Sequence, residues 1–184
     1  MTATPIYTIG YGAREMDAFL AVLKAHEIRY LIDVRTSPYS SYKPEYSKAA
    51  LQNQLEASEV CYLFMGDSLG GQPDDAGCYT DGKVDYEKVA RQPFYQAGIE
   101  RLVAASQQEQ RVVLMCSEGK PENCHRGKLI GKTLTAEGIE VLHIDEQDQP
   151  ITQKQLLLRL TNGQPSLFGD DFFQFTSRKR YREE

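Results

Sequence analysis

RVVLMCSEGKPENCHRGKLIGKTLTAEGIEVLHI, residues 111–144, reads as one strand, loop, helix and strand in succession. RVVLMC at 111–116 is a short continuous apolar run, the pattern of a strand covered on both faces. A polar loop follows, then a helical stretch to about Glu137, and IEVLHI at 139–144 supplies a second strand. Two strands joined through a helix run parallel, with a right-handed crossover.

The same order recurs upstream. PIYTIG at 5–10 favours a strand, GYG breaks it, and Met16, Phe19, Leu20 and Leu23 follow at helical spacing. RYLIDVR at 29–35 is a strand, 36–46 is a Ser/Pro/Tyr-rich loop, and a helix begins near Ser47, whose hydroxyl is the expected N-cap. CYLFM at 61–65 is the third strand. Gly66 to Asp85 carries Gly70, Gly71, Gly77 and Gly82 without periodicity, so a loop over the site is predicted there, followed by a helix over Pro93–Gln108. The expected fold is α/β: a single domain over residues 6–160, with a mainly parallel sheet of about five strands flanked by helices, and a tail over 161–184. Loops leaving such strands share one edge, where ligands bind in open α/β sheets.

A chain of 184 residues buries enough apolar surface for one domain without staples. With 41% hydrophobic and 26% charged residues it has the balance of a soluble globular protein. No apolar run spans a bilayer, and MTATPIYTIG lacks a basic, signal-like start, so a cytoplasmic protein without a membrane partner is expected. Cys61, Cys78, Cys116 and Cys124 are then expected to stay reduced. The net charge of −5 disfavours broad attraction to nucleic acid, although Arg178, Lys179, Arg180 and Arg182 form a basic cluster that signals a partner. TNGQPS at 161–166 introduces the tail, and Leu167, Phe168, Phe172, Phe173 and Phe175 are apolar enough to dock on something.

The densest chemistry lies in CSEGKPENCHRGK, residues 116–128. Cys116 ends a strand, while Cys124, His125 and Arg126 fall at the start of the next helix, where amides and adjacent cations favour an ionised thiol. Alone, Cys116 reads as a small buried hydrophobe. Together with Glu118 the cluster is more than a packing loop needs, so Cys116, Cys124, His125, Asp33 and Glu118 are the catalytic candidates. Thiolates and imidazole also bind zinc, which would draw on Cys116, Cys124, His125 and His143, but the paired short spacing of a zinc knuckle is missing and no metal is assigned.

Asp33 and Arg35 alternate at the end of a strand that is apolar through Leu31, Ile32 and Val34. They would form an ion pair, or else Arg35 grips an anion while Asp33 orients it. Arg35, Ser40, Arg126, Tyr11, Gly70 and Gly71 are the substrate-binding candidates. The glycines GYG at 10–12 and GDSLGG at 66–71 permit close backbone approach, but neither has the spacing of a dinucleotide or Walker loop. Asp67 is a lesser candidate, and His26 reads as a helix-end residue.

Taken together, TIGYG, LIDVRTSPYS, SLGG, LMCSEGKPENCHR and VLHI resemble the family called domain of unknown function 488, from about residue 6 to residue 145. The resemblance implies an enzyme-like polar set at Asp33, Arg35, Ser40, Cys116, Glu118, Cys124, His125 and Arg126, and no particular reaction; Tyr11 stands where the pattern has a serine or threonine. LIDVR and VVLMCSEG are more remotely similar to rhodanese and cysteine-phosphatase domains, although the loop from Cys116 to Arg126 is longer than their anion cradle. Gln164-Pro165-Ser166-Leu167-Phe168 resembles the short peptide by which bacterial DNA-replication and repair proteins hold the sliding clamp, with Gln164, Leu167 and Phe168 as anchors.

Two functions follow as expectations. One is a cysteine-dependent transferase or hydrolase acting on an anionic small molecule, such as a nucleotide or nucleic-acid component. The other is a non-catalytic, DNA-repair-associated adaptor docked on the clamp through its tail. A convergent pocket holding a perturbed thiol separates the first from the second.

Overall fold

The computed structural model describes residues 3–164 and 176–182. In chain order the elements are β1 (Ile6–Gly10), α1 (Met16–Ala25), β2 (Tyr30–Asp33), α2 (Lys48–Ala57), β3 (Cys61–Phe64), α3 (Gly66–Leu69), β4 (Tyr79–Thr80) and β5 (Lys83–Asp85). There follow α4 (Tyr86–Ala90), α5 (Pro93–Gln107), β6 (Val112–Cys116), a π-helical turn Arg126–Gly131 running into α6 (Lys132–Ala136), β7 (Val141–Ile144), β8 (Pro150–Thr152), α7 (Gln153–Leu160) and β9 (Thr176–Arg180).

The main sheet has the order β3-β2-β6-β1-β7-β8. Its first five strands are parallel, as the repeated strand–helix pattern predicts, and β8 adds an antiparallel edge against β7. Alternation along the pleat sends side chains into two cores. Tyr7, Ile9, Leu31, Val113 and Met115 meet Phe19 and Leu23 of α1 and Leu51 and Leu55 of α2 on one face. Ile6, Ile32, Val112, Leu114 and Cys116 meet Ile99 and Leu102 of α5 and Leu134 of α6 on the other. The chain therefore leaves β2 toward one face and β6 toward the opposite face. These neighbouring strands diverge at their C-terminal ends and open a crevice between Asp33 and Cys116.

Two local expectations are replaced by the structure. Ser47 occupies the N-cap position of α2 but caps nothing: its hydroxyl accepts the Ser40 N–H at 3.1 Å and donates to the Ser40 carbonyl at 3.3 Å, closing the 36–46 loop. Residues 66–85 are not one loop. Asp81-Gly82, at φ 50° and 72°, makes the two-residue turn of the β4–β5 hairpin, a signal that an aspartate–glycine pair carries in any sequence. β9 then pairs antiparallel with β5, so part of the segment read as a tail returns to the body as the third strand of a small sheet. No helix among the described residues is long and apolar enough to cross a membrane. Leu167 and Phe168, the apolar anchors of the clamp-like peptide, lie outside the described residues, as do Phe172, Phe173 and Phe175; Gln164 is exposed just after α7.

Candidate active site

Cys124 is extended (φ −126°, ψ 151°) and immediately precedes the helical residues His125 and Arg126, which makes it the N-cap residue. Its carbonyl accepts from the N–H groups of Gly127 at 3.2 Å and Lys128 at 3.1 Å, starting the helix. Its Sγ accepts from the Arg126 backbone N–H at 3.5 Å, as an N-cap oxygen would. The helix begins in a π turn, an uncommon geometry that recurs at functional sites.

Cys116, at the end of β6, places its Sγ 2.8 Å from that of Cys124. Both are free thiols, and both are nearly buried. Burial pushes the Cys116 thiol well above its ordinary range, and the neighbouring Cys124 sulfur pushes it further. Burial opposes ionisation of Cys124 too, but the hydrogen bond between the two sulfurs, the Arg126 guanidinium and the Arg126 N–H outweigh it and bring the thiol below its ordinary range. Cys124 is therefore the more readily ionised thiol of the two.

His125 completes the group. Its Nε2 lies 3.0 Å from the Val34 carbonyl, which can only accept, so the ring proton sits there in the neutral form. Nδ1 is left facing Cys124 Sγ at 3.4 Å. Burial holds this imidazole below its ordinary value, so it is neutral at pH 7.

Arg126 is fully buried beneath the two sulfurs. It has no carboxylate partner among the described residues; Nη2 donates to the carbonyls of Gly119 at 2.8 Å and Glu118 at 3.3 Å, and Nη1 donates to Thr8 Oγ1 at 2.7 Å. A directed chain continues from there. Gln153 Nε2 donates to the Gly127 carbonyl at 3.0 Å, so its Oε1 accepts from His143 Nε2 at 2.6 Å. His143 Nδ1 must then accept from the Thr8 hydroxyl at 2.8 Å, leaving the Thr8 oxygen to accept from Arg126. Burial, followed by the Arg126 charge, lowers the His143 pKa to about 3. His143 therefore fixes Arg126 and turns neither nitrogen toward the sulfurs. Among the described residues no group of three or more His, Cys, Asp or Glu is placed to hold a metal ion.

Across the crevice Asp33 is fully buried and saturated: it accepts from Arg35 Nε at 2.9 Å, Arg35 Nη2 at 2.6 Å, the Arg35 N–H at 3.1 Å and the Tyr62 hydroxyl at 2.8 Å. It positions Arg35 and has no lone pair directed at a substrate. Arg35 Nη1, by contrast, is buried without a hydrogen-bond partner among the described residues. The guanidinium also lies 5.5 Å from the centre of the Tyr11 ring, which stacks on Tyr46 at 4.3 Å.

These groups border a cavity of about 250 Å³, into which Cys116, Cys124, His125, Arg35, Tyr11, Gly71 and Glu118 all face. The remaining sequence candidates lie off it. Ser40 accepts the Lys43 N–H and shapes the 36–46 loop, Gly70 is packed against Thr36 and Gly66, and Arg126 is beneath the floor. Asp67 is exposed on α3, and His26 is the C-cap of α1. Sequence reasoning missed the outer wall, where β9 and its flank bring Ser177, Arg178, Lys179 and Tyr181 to the cavity. Arg178 pairs with Glu118 at 3.3 Å. The SRKRY cluster was visible as a basic run; its place beside the cysteines depends on β9 pairing with β5.

Fold and site together define a three-layer α/β protein with a buried cysteine pair at a strand-end crevice. The chain matches the family described as Domain of unknown function DUF488 over residues 15–132, more than half of its length, and belongs to that family. The matched span includes LIDVR and CHR but not TIGYG or VLHI. No curated protein and no solved structure matches the chain.

Proposed function

We propose that this protein is an enzyme that acts on an anionic substrate through the Cys124 thiolate. The observation that carries the reading is Cys124 itself: an N-cap thiol with the Arg126 N–H directed at its sulfur and Cys116 Sγ 2.8 Å from it, at the floor of a cavity. Such surroundings lower a thiol's pKa and create a nucleophile near neutral pH. His125 Nδ1 takes the Cys124 proton and returns it to the leaving group. Arg35, through its unpartnered Nη1, and Arg178 and Lys179 on the rim attract the substrate's negative charge. Tyr11, Tyr39, Tyr86 and Tyr181 also line the cavity and suit a flat ring, which favours a nucleotide or nucleic-acid component among anions. Enclosure of the thiol favours this reading over the adaptor.

Alkylation by iodoacetamide tests it, with exposed Cys61 as the internal comparison. Cys124 should react at lower pH than Cys61, and inorganic phosphate or adenosine monophosphate should protect it. Replacing Arg35 by Met should remove that protection, a loss of about 1.5–3 kcal/mol for a charge-assisted contact. Equal pH profiles for the two cysteines, with no protection by either anion, would rule out the assignment.

A further inference from the structure

The nucleophile uses one sulfur of the pair and leaves the other unexplained. Cys116 is 2% exposed and donates to the Glu118 carbonyl at 3.6 Å, yet its sulfur sits 2.8 Å from Cys124. The segment between the two cysteines is anchored by Arg126, whose guanidinium holds the carbonyls of Glu118 and Gly119. Gly10 helps to hold it in place: a Cβ there would collide with the Glu118 carbonyl. The apposition of the sulfurs is therefore built into the crevice, while Cys78 and Cys61 stand outside the cavity lining.

We propose that Cys116 is a resolving thiol, and that oxidation of Cys124 by a hydroperoxide closes a reversible Cys116–Cys124 disulfide. This rests on Cys124 being the reactive thiolate. In the first step the Cys124 sulfur attacks the distal oxygen of hydrogen peroxide. The S–O bond forms, the O–O bond breaks, hydroxide leaves and takes from His125 the proton that Cys124 gave up, becoming water, and Cys124 becomes a sulfenic acid. In the second step Cys116 loses its proton to the departing hydroxyl and attacks Cys124 Sγ; the S–S bond forms, the S–O bond breaks, and a second water leaves. The dithiol is oxidised by two electrons and the peroxide is reduced. A dithiol reductant reverses the bond by exchange and restores the nucleophile. Burial of Cys116 suits this order of events, because a protonated resolving thiol does not compete for the first oxidant but lies within reach of the sulfenic acid.

The test treats the full-length protein with equimolar hydrogen peroxide, alkylates the remaining thiols and maps the peptides by mass spectrometry. The wild type should yield a peptide linking Cys116 to Cys124, and dithiothreitol should restore alkylation of Cys124. In Cys116→Ser a dimedone-trapped sulfenic acid and then a sulfinic acid should accumulate at Cys124, beyond rescue by dithiothreitol. Wild-type mapping decides the matter even if that variant folds poorly. Sulfinic acid at Cys124 of the wild type with Cys116 still free would overturn the resolving role. If Cys124 alkylates at low pH but no linkage forms, the switch fails and the nucleophile stands; if Cys124 neither alkylates early nor oxidises ahead of Cys61, both fail.

Discussion

Gly71 lies against the His125 ring: a Cβ built on it would approach Nδ1 to 2.8 Å and Cγ to 3.0 Å. The imidazole is pinned at its far side by the Val34 carbonyl, so it has little room to yield. Gly71→Ala should therefore displace Nδ1 from Cys124, cost about 1–3 kcal/mol in stability from overpacking, and raise the pH at which Cys124 is alkylated. Thermal melts and the iodoacetamide profile read the two effects separately. A variant with wild-type thiol reactivity would show that His125 has no influence on Cys124. At this scale Asp33 and Arg126 are supports, and what they support is the orientation of Arg35 and the charge under the sulfurs.

Among the elements, β9 depends on one hydroxyl. Ser177 is buried, its Oγ accepts the Val84 N–H at 2.9 Å and donates to the Lys179 carbonyl at 2.7 Å, and the β5–β9 register shifts at this point. The side chain takes the place of a missing ladder bond. Ser177→Ala leaves a buried N–H without its partner, at a cost of about 1–3 kcal/mol. Because β9 pairs within the small sheet, which is separate from the main sheet, the loss should appear locally. Amide exchange in β5 and β9 should quicken, exchange in β1 and β6 should not, and Cys124 should alkylate faster as the wall loosens. Unchanged exchange at Val84 would show that the strand is held by other contacts.

For the molecule as a whole, the buried chain from Arg126 to Gly127 couples the site to acid stability. His143 has a pKa near 3 in the fold against 6.5 as a free side chain. Above pH 6.5 both folded and unfolded forms are neutral at this position and its contribution is complete. As pH falls, the unfolded chain takes up a proton that the fold refuses, so stability declines from about pH 6.5 toward pH 3, by on the order of 5 kcal/mol at most. Nuclear magnetic resonance of the His143 ring at about pH 5 should still show the neutral form, whereas a free imidazole there is charged. A ring that titrates near 6.5 would contradict the closed network.

The five parallel strands and their helices were legible because burial on both faces leaves uninterrupted apolar runs and helices leave a 3.6-residue period, and both are properties of local sequence. The cluster at Cys116, Cys124 and His125 was legible because those residues are close along the chain and straddle one strand and one helix start. Strand order was not legible. It decides that Asp33 at the end of the second strand and Arg35 just beyond it lie across the crevice from Cys116 of the sixth, and it follows from which helix covers which face. Nor did spacing show that Arg126 points inward to Thr8 and the loop carbonyls, since a charged residue at a helix start is exposed in most proteins. The wall from residues 177–181 was hidden for the same reason: pairing across more than ninety residues is chosen by hydrogen bonds such as Ser177 to Val84, which leave no periodic trace. The sequence by itself determined which polar side chains cluster along the chain as candidates and the local elements that present them. Only the tertiary structure decided that Arg126 is buried beside both sulfurs, which thiol ionises more readily and what encloses them, because charge and burial depend on neighbours distant in the chain.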